Sequence, residues 1–172
     1  MNVVFIKSHY GKTGGIETLL KSLFGRLDFD RFQVHILAVT HDPDLPLSFV
    51  DVDKLPDSAR LHIIPWQGFK SLPATVKTII KLLQDIRPAV LYTHDMRANL
   101  LTFFVTRSES IPWMAHIHGW LGKTAGLKTW FFEWIDSKLI KKVDVVLVGS
   151  HALKETIEKR TNRKEVRLIA NG

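Results

Sequence analysis

Apolar positions along the chain fall into short continuous runs that alternate with stretches of helical period. Asn2–Ser8 carries Val3, Val4, Phe5 and Ile6 in succession, as a strand buried on both faces requires. Leu19, Leu20, Leu23 and Phe24 then recur at helical spacing, which predicts a helix over Ile16–Leu27. Phe32–Thr40 reads as a second strand, His41–Arg60 as a polar, proline-bearing connection and Leu61–Ile64 as a short third strand followed by the loop Pro65–Lys70. Ser71 and Pro73 open a helix that runs to about Arg87, with Val76, Ile79, Ile80, Leu83 and Ile86 on one face and Pro88 as its stop.

The alternation continues. Ala89–Thr93 is a fourth strand, Arg97–Thr106 a short helix and Trp113–Ile117 a fifth strand. Leu127–Lys141 is helical by period, and Val143–Val148 is a sixth strand. Ser150 has the character of an N-cap for a helix reaching about Arg160, and Val166–Ile169 is a last strand. Strands separated by helices at these distances predict one α/β domain over residues 1–172: a doubly wound, Rossmann-like parallel sheet of about seven strands with helices on both faces. In such sheets ligands sit beyond the carboxyl ends of the strands. The informative loops are therefore Ser8–Gly15, Pro65–Lys70, His94–Arg97, His118–Gly126 and Gly149–Ser150.

Composition narrows the function classes. With 45% apolar and 24% charged residues the chain is globular in character. The absence of cysteine removes disulfides and thiolate metal sites, which suits a cytoplasmic protein. No basic segment followed by a long apolar run marks a signal peptide, and no run approaches the roughly 20 apolar residues of a spanning helix. A formal charge of +7 points to an anionic partner such as a nucleotide, a phospholipid or a nucleic acid.

Candidate chemistry begins at Gly11–Glu17, a glycine turn between strand and helix where backbone N–H groups and a helix dipole can approach a phosphate or sugar. Gly11-Lys12-Thr13 is not a P-loop, because Ile6 stands where that motif needs a glycine, and G-x-G-x-x-G is not met either. Glu17 in the first helical turn is accounted for by the dipole. His116 and His118 share one strand face at the carboxyl edge of the fifth strand, and Gly119 lets the chain turn there. A metal would need a third ligand that spacing does not fix; His94-Asp95 ends the fourth strand, and a neighbouring strand end could bring it close. A substrate-contacting His118 is the stronger reading. Asp28–Asp30, Asp42–Asp44 and Asp51–Asp53 each match D-x-D, all in loop-like sequence away from the ligand edge, and are read as surface acids. On the helix Leu127–Lys141, the stripe Leu127, Trp130, Phe131, Trp134 and Ile135 is expected to face the sheet. Trp130 and Phe132 beside Lys138, Lys141 and Lys142 offer the alternative of docking at an anionic membrane surface. No nucleic-acid signature accompanies these aromatics, so no nucleic-acid partner is expected.

Taken together, Gly14-Gly15-Ile16-Glu17, "PAVLYTHD", "IPWMAHIHG", "VDVVLVGSHALKE" and "VRLIANG" resemble, in order and spacing, the N-terminal domain of GT-B glycosyltransferases of the family-4 retaining type. The resemblance covers essentially the whole chain. It implies one half of a GT-B architecture, with the nucleotide-sugar-binding domain, and the family's pair of spaced glutamates, absent from this chain; Glu158 and Glu165 stand at the wrong separation, and Ala170 replaces the usual proline. By that resemblance Gly14 and Gly15 face the donor diphosphate, and His118 contacts the donor sugar as the catalytic residue. Trp120 and Lys123 in the following loop, with His94, hold the acceptor. The expected partners are a nucleotide-sugar donor and a polysaccharide, lipopolysaccharide or lipid-linked acceptor, with no metal and no cofactor, in a cytoplasmic protein with peripheral membrane contact as an option. A sugar-nucleotide epimerase of related architecture and a non-catalytic module for anionic lipid or glycan are the alternatives.

Overall fold

The computed structural model describes residues 1–9, 14–44, 47–120, 126–163 and 165–169. Gly11, Lys12 and Thr13 of the glycine turn, Lys123, and the close Ala170-Asn171-Gly172 lie outside them. The strands are β1 (Asn2–His9), β2 (Gln33–Thr40), β3 (Ala59–Pro65), β4 (Val90–Thr93), β5 (Trp113–Ile117), β6 (Val145–Val148) and β7 (Val166–Leu168). They form one sheet in the order β3-β2-β1-β4-β5-β6-β7. Every pairing is parallel, with Phe5 opposite Tyr92 on one side and Ile36 on the other. The order reverses between β1 and β4, which is where a doubly wound sheet opens a ligand crevice.

The helices are α1 (Gly15–Phe24), α2 (Leu72–Ile86), α3 (Met96–Val105), α4 (Leu127–Leu139) and α5 (His151–Thr161). Right-handed crossovers place connections that step toward β3 on one face and those that step toward β7 on the other. The core divides accordingly. Val4, Ile6, Leu37 and Leu91 pack beneath α2 and α3 through Ile79, Leu83 and Leu101. Trp113, Ala115, Val146 and Val148 continue that face beneath Leu139, Ile140 and Ile157. On the opposite face Phe5, Ile36 and Tyr92 meet Leu20 and Phe24 of α1. Between β2 and β3 the described residues form no α-helix, and the expected polar connection does core work there: Phe49 and Val50 are buried with the α1 layer.

Boundaries shift for local reasons. α2 ends with Arg87 in the left-handed region (φ 52°), after which Pro88 bars further helix. β6 starts at Val145 rather than Val143, because Val143 closes a 3-10 turn over Ile140–Lys142 and the Asp144 carboxylate accepts from the Trp113 amide at 2.7 Å.

Candidate functional site

Phe5, Lys7 and His9 alternate along β1, so Lys7 points to the same sheet face as Phe5. Tyr92 and His94 follow the same parity on β4 and its edge, as do His116 and His118 on β5 and its edge. The sheet thereby gathers a file of polar rings beside the N-terminus of α1. His94 stacks 5.6 Å from His118, His116 stacks 4.1 Å from His118, and His94 lies 5.8 Å from His116. His94 Nδ1 and His118 Nε2 are hydrogen-bonded at 3.3 Å, as are Tyr92 Oη and His116 Nδ1 at 3.0 Å. The Nε2 atoms of His94 and His116 are buried with no partner among the described residues.

The third histidine that spacing leaves unfixed is thus His94, and the three residues could hold a metal ion, since one nitrogen of each lies within 4.8 Å of the others. Their geometry is that of a hydrogen-bonded stack. The His94–His118 bond engages one nitrogen of each ring, and the His116 and His118 rings overlap at an inclination of 29°.

Burial keeps the stack neutral. It lowers His116 to about 4. Burial, then His116 and Lys7, lowers His118 to about 3, with Asp95 opposing. His94 is held well below its ordinary value by burial, then by His118, His116 and Lys7. At neutral pH these rings are neutral hydrogen-bonding groups rather than cations.

Charge enters the site on Lys7, buried between Glu17 (3.3 Å) and Asp95 (3.8 Å). Glu17 therefore does more than meet a dipole: it ties α1 to β1. Asp95 accepts from the Ser8 amide at 2.6 Å and hydroxyl at 2.8 Å, and it caps α3 through the amides of Arg97 and Ala98. Gly14 is the N-cap of α1 and supplies no side-chain cap. A Cβ on Gly14 would come 3.1 Å from Glu17 Oε2, whereas one on Gly15 would meet nothing within 4 Å. Nothing in the fold requires glycine at position 15. Gly119 is likewise unconstrained and is not among the glycines with positive φ, so the turn after His118 does not depend on glycine.

Gly15, His94, His116, His118 and Trp120 line one open cleft of about 460 Å³. Gly14, the N-cap that precedes Gly15, is not part of that lining, and Lys123 lies outside the described residues. A larger recess of about 910 Å³ occupies the opposite edge, around Phe103, Ile111 and Asp144. Its lining holds no histidine and no glycine turn, so chemistry rather than size selects the cleft.

α4 corrects the sequence reading. The expected sheet-facing stripe is turned outward: Leu127 is 78% exposed, Phe131 50% and Trp134 49%, while Trp130 and Ile135 are half-buried. The buried face carries Glu133, Asp136 and Ser137 together with Leu139. Polar partners explain the inversion. Asp136 accepts from Asn99 Nδ2 at 2.8 Å and from Trp120 Nε1 at 3.1 Å, and Arg160 donates to Glu133 at 3.3 Å. Burial raises Asp136 to about 6, against the lowering effect of those two donors. Asn99 accepts from Thr93, which accepts from the Trp113 indole, so a buried chain of bonds runs from the core to Trp120. Of the residues considered for an anionic surface, Lys138, Lys141 and Lys142 are exposed, and Phe132 is half-buried against Phe69. Among the described residues no helix is long and apolar enough to cross a membrane.

The three D-x-D pairs are exposed, as surface acids should be. Asp42–Asp44 follows the carboxyl end of β2, however, and so does not lie away from the ligand edge; its carboxylates do not line the cleft. Sequence reasoning missed Lys7, Tyr92, Asn99 and Asp136. Lys7 was the findable one, a single charge within an apolar strand.

The family model described as Glycosyltransferase Family 4 matches residues 13–172. Among solved structures, HepE of Anabaena in complex with UDP-glucose is similar, at 17% identity and a TM-score of 0.73, over 100% of this chain and 44% of that one. The lipopolysaccharide outer core galactosyltransferase WaaB is similar at 13% identity and 0.70, over 99% and 46%. The UDP-GlcNAc 2-epimerase of Methanocaldococcus jannaschii is similar at 12% and 0.66, over 99% and 46%. At such identities these likenesses concern the fold, and the chain spans under half the length of each. Among curated proteins none matches the sequence.

Proposed function

The chain belongs to glycosyltransferase family 4, and on that premise we propose that it forms the acceptor-side lobe of an enzyme moving a sugar from a nucleotide-sugar donor to a polysaccharide, lipopolysaccharide or lipid-linked acceptor. The anomeric configuration is retained, and neither metal nor cofactor takes part. The observation that carries this reading is the shared cleft: Gly15, at a helix start without a side-chain cap, and a neutral His118 line the same space. Departure of a nucleoside diphosphate develops negative charge, which the amides and dipole at the start of α1 stabilise without reorganising. Gly15, which the fold itself does not require, gives the diphosphate close access to that backbone. His118 donates to or accepts from a sugar hydroxyl near the reacting carbon, where a cation would oppose an oxocarbenium-like centre. Trp120, fixed by Asp136, and His94 hold the acceptor. Positioning of two substrates supplies much of the rate. The second lobe, which binds most of the donor, is a further domain of the kind that the longer relatives have room for.

The exposed face of α4 supports a membrane-bound acceptor. Leu127, Phe131 and Trp134 stand outward at i, i+4 and i+7 beside Lys128, Lys138, Lys141 and Lys142, a pattern that seats a helix in an anionic interface. On this reading the protein works in the cytoplasm against the inner face of the cell membrane.

Replacing Gly15 by Trp in the two-lobed enzyme tests the donor assignment. Transfer should fall at least a hundredfold while the melting temperature holds, because the added side chain enters open cleft; wild-type transfer in a folded variant refutes it. The likeness to an epimerase supports one rival. Incubation with donor alone distinguishes it, since an epimerase converts the sugar without any acceptor.

A further inference from the structure

Beside the cleft lies a second cavity, of about 350 Å³, that the transfer chemistry does not use. Leu100 on α3, Phe132 and Ile135 on α4, and Trp66 and Phe69 after β3 make its apolar walls. Well-packed interiors hold few voids larger than a water molecule, and this volume lies within the range of small-molecule sites. Its position is specific. Met96 and Asp136 line both this cavity and the cleft, so the two compartments meet at those side chains. Asp136 is engaged on both oxygens, by Asn99 and by Trp120, and so stands at the boundary as a satisfied group rather than an open acid.

The outer end of the cavity is continuous with the exposed aromatic face. Phe69, which is largely exposed, stacks on Phe132 at 6.2 Å with the rings nearly parallel. Phe132 in turn meets Phe131 edge-on at 6.0 Å, and Phe131 stacks on Trp134. Apolar surface therefore runs from the outward face of α4 through the cavity to Met96, which with Asp136 borders the cleft that holds His118. The guanidinium of Arg97 also lines the cavity, laid over the Trp66 ring at 5.4 Å.

From this continuity we infer that the cavity takes the aliphatic chain of the acceptor, an alkyl, acyl or prenyl group whose sugar-accepting hydroxyl lies in the cleft beside His118. The inference rests on the glycosyl-transfer reading and names the chemistry of its second substrate. An isolated hydrophobic pocket elsewhere on the surface would say nothing of the acceptor; this one shares its inner wall with the site.

Octyl β-glucoside, kept below its micelle concentration, and methyl β-glucoside are the probes, and methyl NMR of the protein reads their binding. The octyl compound should bind at least tenfold more tightly and shift the methyl signals of Leu100, Ile135 and Met96. Leu100→Trp, which fills the cavity, should abolish that preference. Equal binding of the two probes overturns the inference, as do shifts confined to Leu127 on the outer face or an unchanged preference in folded Leu100→Trp. Should Leu100→Trp fail to fold, Ile135→Trp and the wild-type shift map decide the matter. Transfer by the two-lobed enzyme separates the two levels. Equal use of methyl and octyl acceptors refutes the cavity's role and leaves glycosyl transfer standing. Octyl binding at Leu100 and Ile135 with no sugar transferred to any acceptor refutes the enzymatic reading and leaves the apolar site standing.

Discussion

Lowering the pH from 7.5 to 5 should destabilise the chain through its buried histidines, by an amount the structure sets. An unfolded histidine titrates near 6.5, whereas folding holds His118 at about 3 and His116 at about 4. Between those limits the unfolded chain binds protons that the folded one refuses, so stability is full above pH 6.5 and falls as the pH drops. At pH 5 each gap has opened by about 1.5 pH units, worth about 2 kcal/mol per histidine at about 1.4 kcal/mol per unit. Asp136 works the other way. Its folded value of about 6 lies above the unfolded one, so protonation at pH 5 favours the folded state by about 1.4 kcal/mol. The net loss from these three groups is about 2.5 kcal/mol. His94, His35 and His62, all lowered first by burial, add to it in the same sense. Urea denaturation followed by tryptophan fluorescence at the two pH values measures the difference. In His116→Gln/His118→Gln the contribution of those two residues should vanish, leaving the smaller slope that His94, His35 and His62 set against Asp136. Equal stability of the wild type at both pH values, or a double variant that keeps the full slope, refutes the neutral-stack account.

Two further outcomes follow from the contacts around the cleft. Asp136→Ala strands the donors of Asn99 and Trp120 and should cost about 2–4 kcal/mol in urea unfolding, while Asp136→Asn, which keeps an acceptor, should cost clearly less; equal costs remove the case for Asp136 as the anchor of Trp120. Vesicles containing anionic phospholipid should carry the chain upward in flotation, and Phe131→Ser/Trp134→Ser should abolish this at low salt. Flotation that survives in the double variant rejects the α4 face as the contact.

The sheet was legible because its signals are local and redundant. Continuous runs such as Val3–Ile6 and stops such as Pro88 mark each element, and parallel pairing follows from their alternation. The site was legible only in part. Parity along β5 puts His116 and His118 on one face, but which strand lies beside β5 is a matter of topology, and that is what brings in His94. The orientation of α4 was unreadable for a different reason. Periodicity identifies an apolar stripe and assigns it inward by default, whereas here Asp136 and Glu133 find partners on Asn99, Trp120 and Arg160, from elements 16 to 37 residues distant in sequence. No pattern within α4 announces those partners. Lys7 is intermediate: a charge within a buried strand signals a partner, but not that Glu17 and Asp95 are the ones.

The most direct test of the central claim is the transfer rate of His118→Ala in the two-lobed enzyme, measured with saturating donor and acceptor. A neutral imidazole touching the sugar near the reacting carbon predicts a fall of at least a hundredfold in kcat, with the fold and the binding of nucleoside diphosphate intact. A folded His118→Ala enzyme that transfers sugar at the wild-type rate contradicts the account.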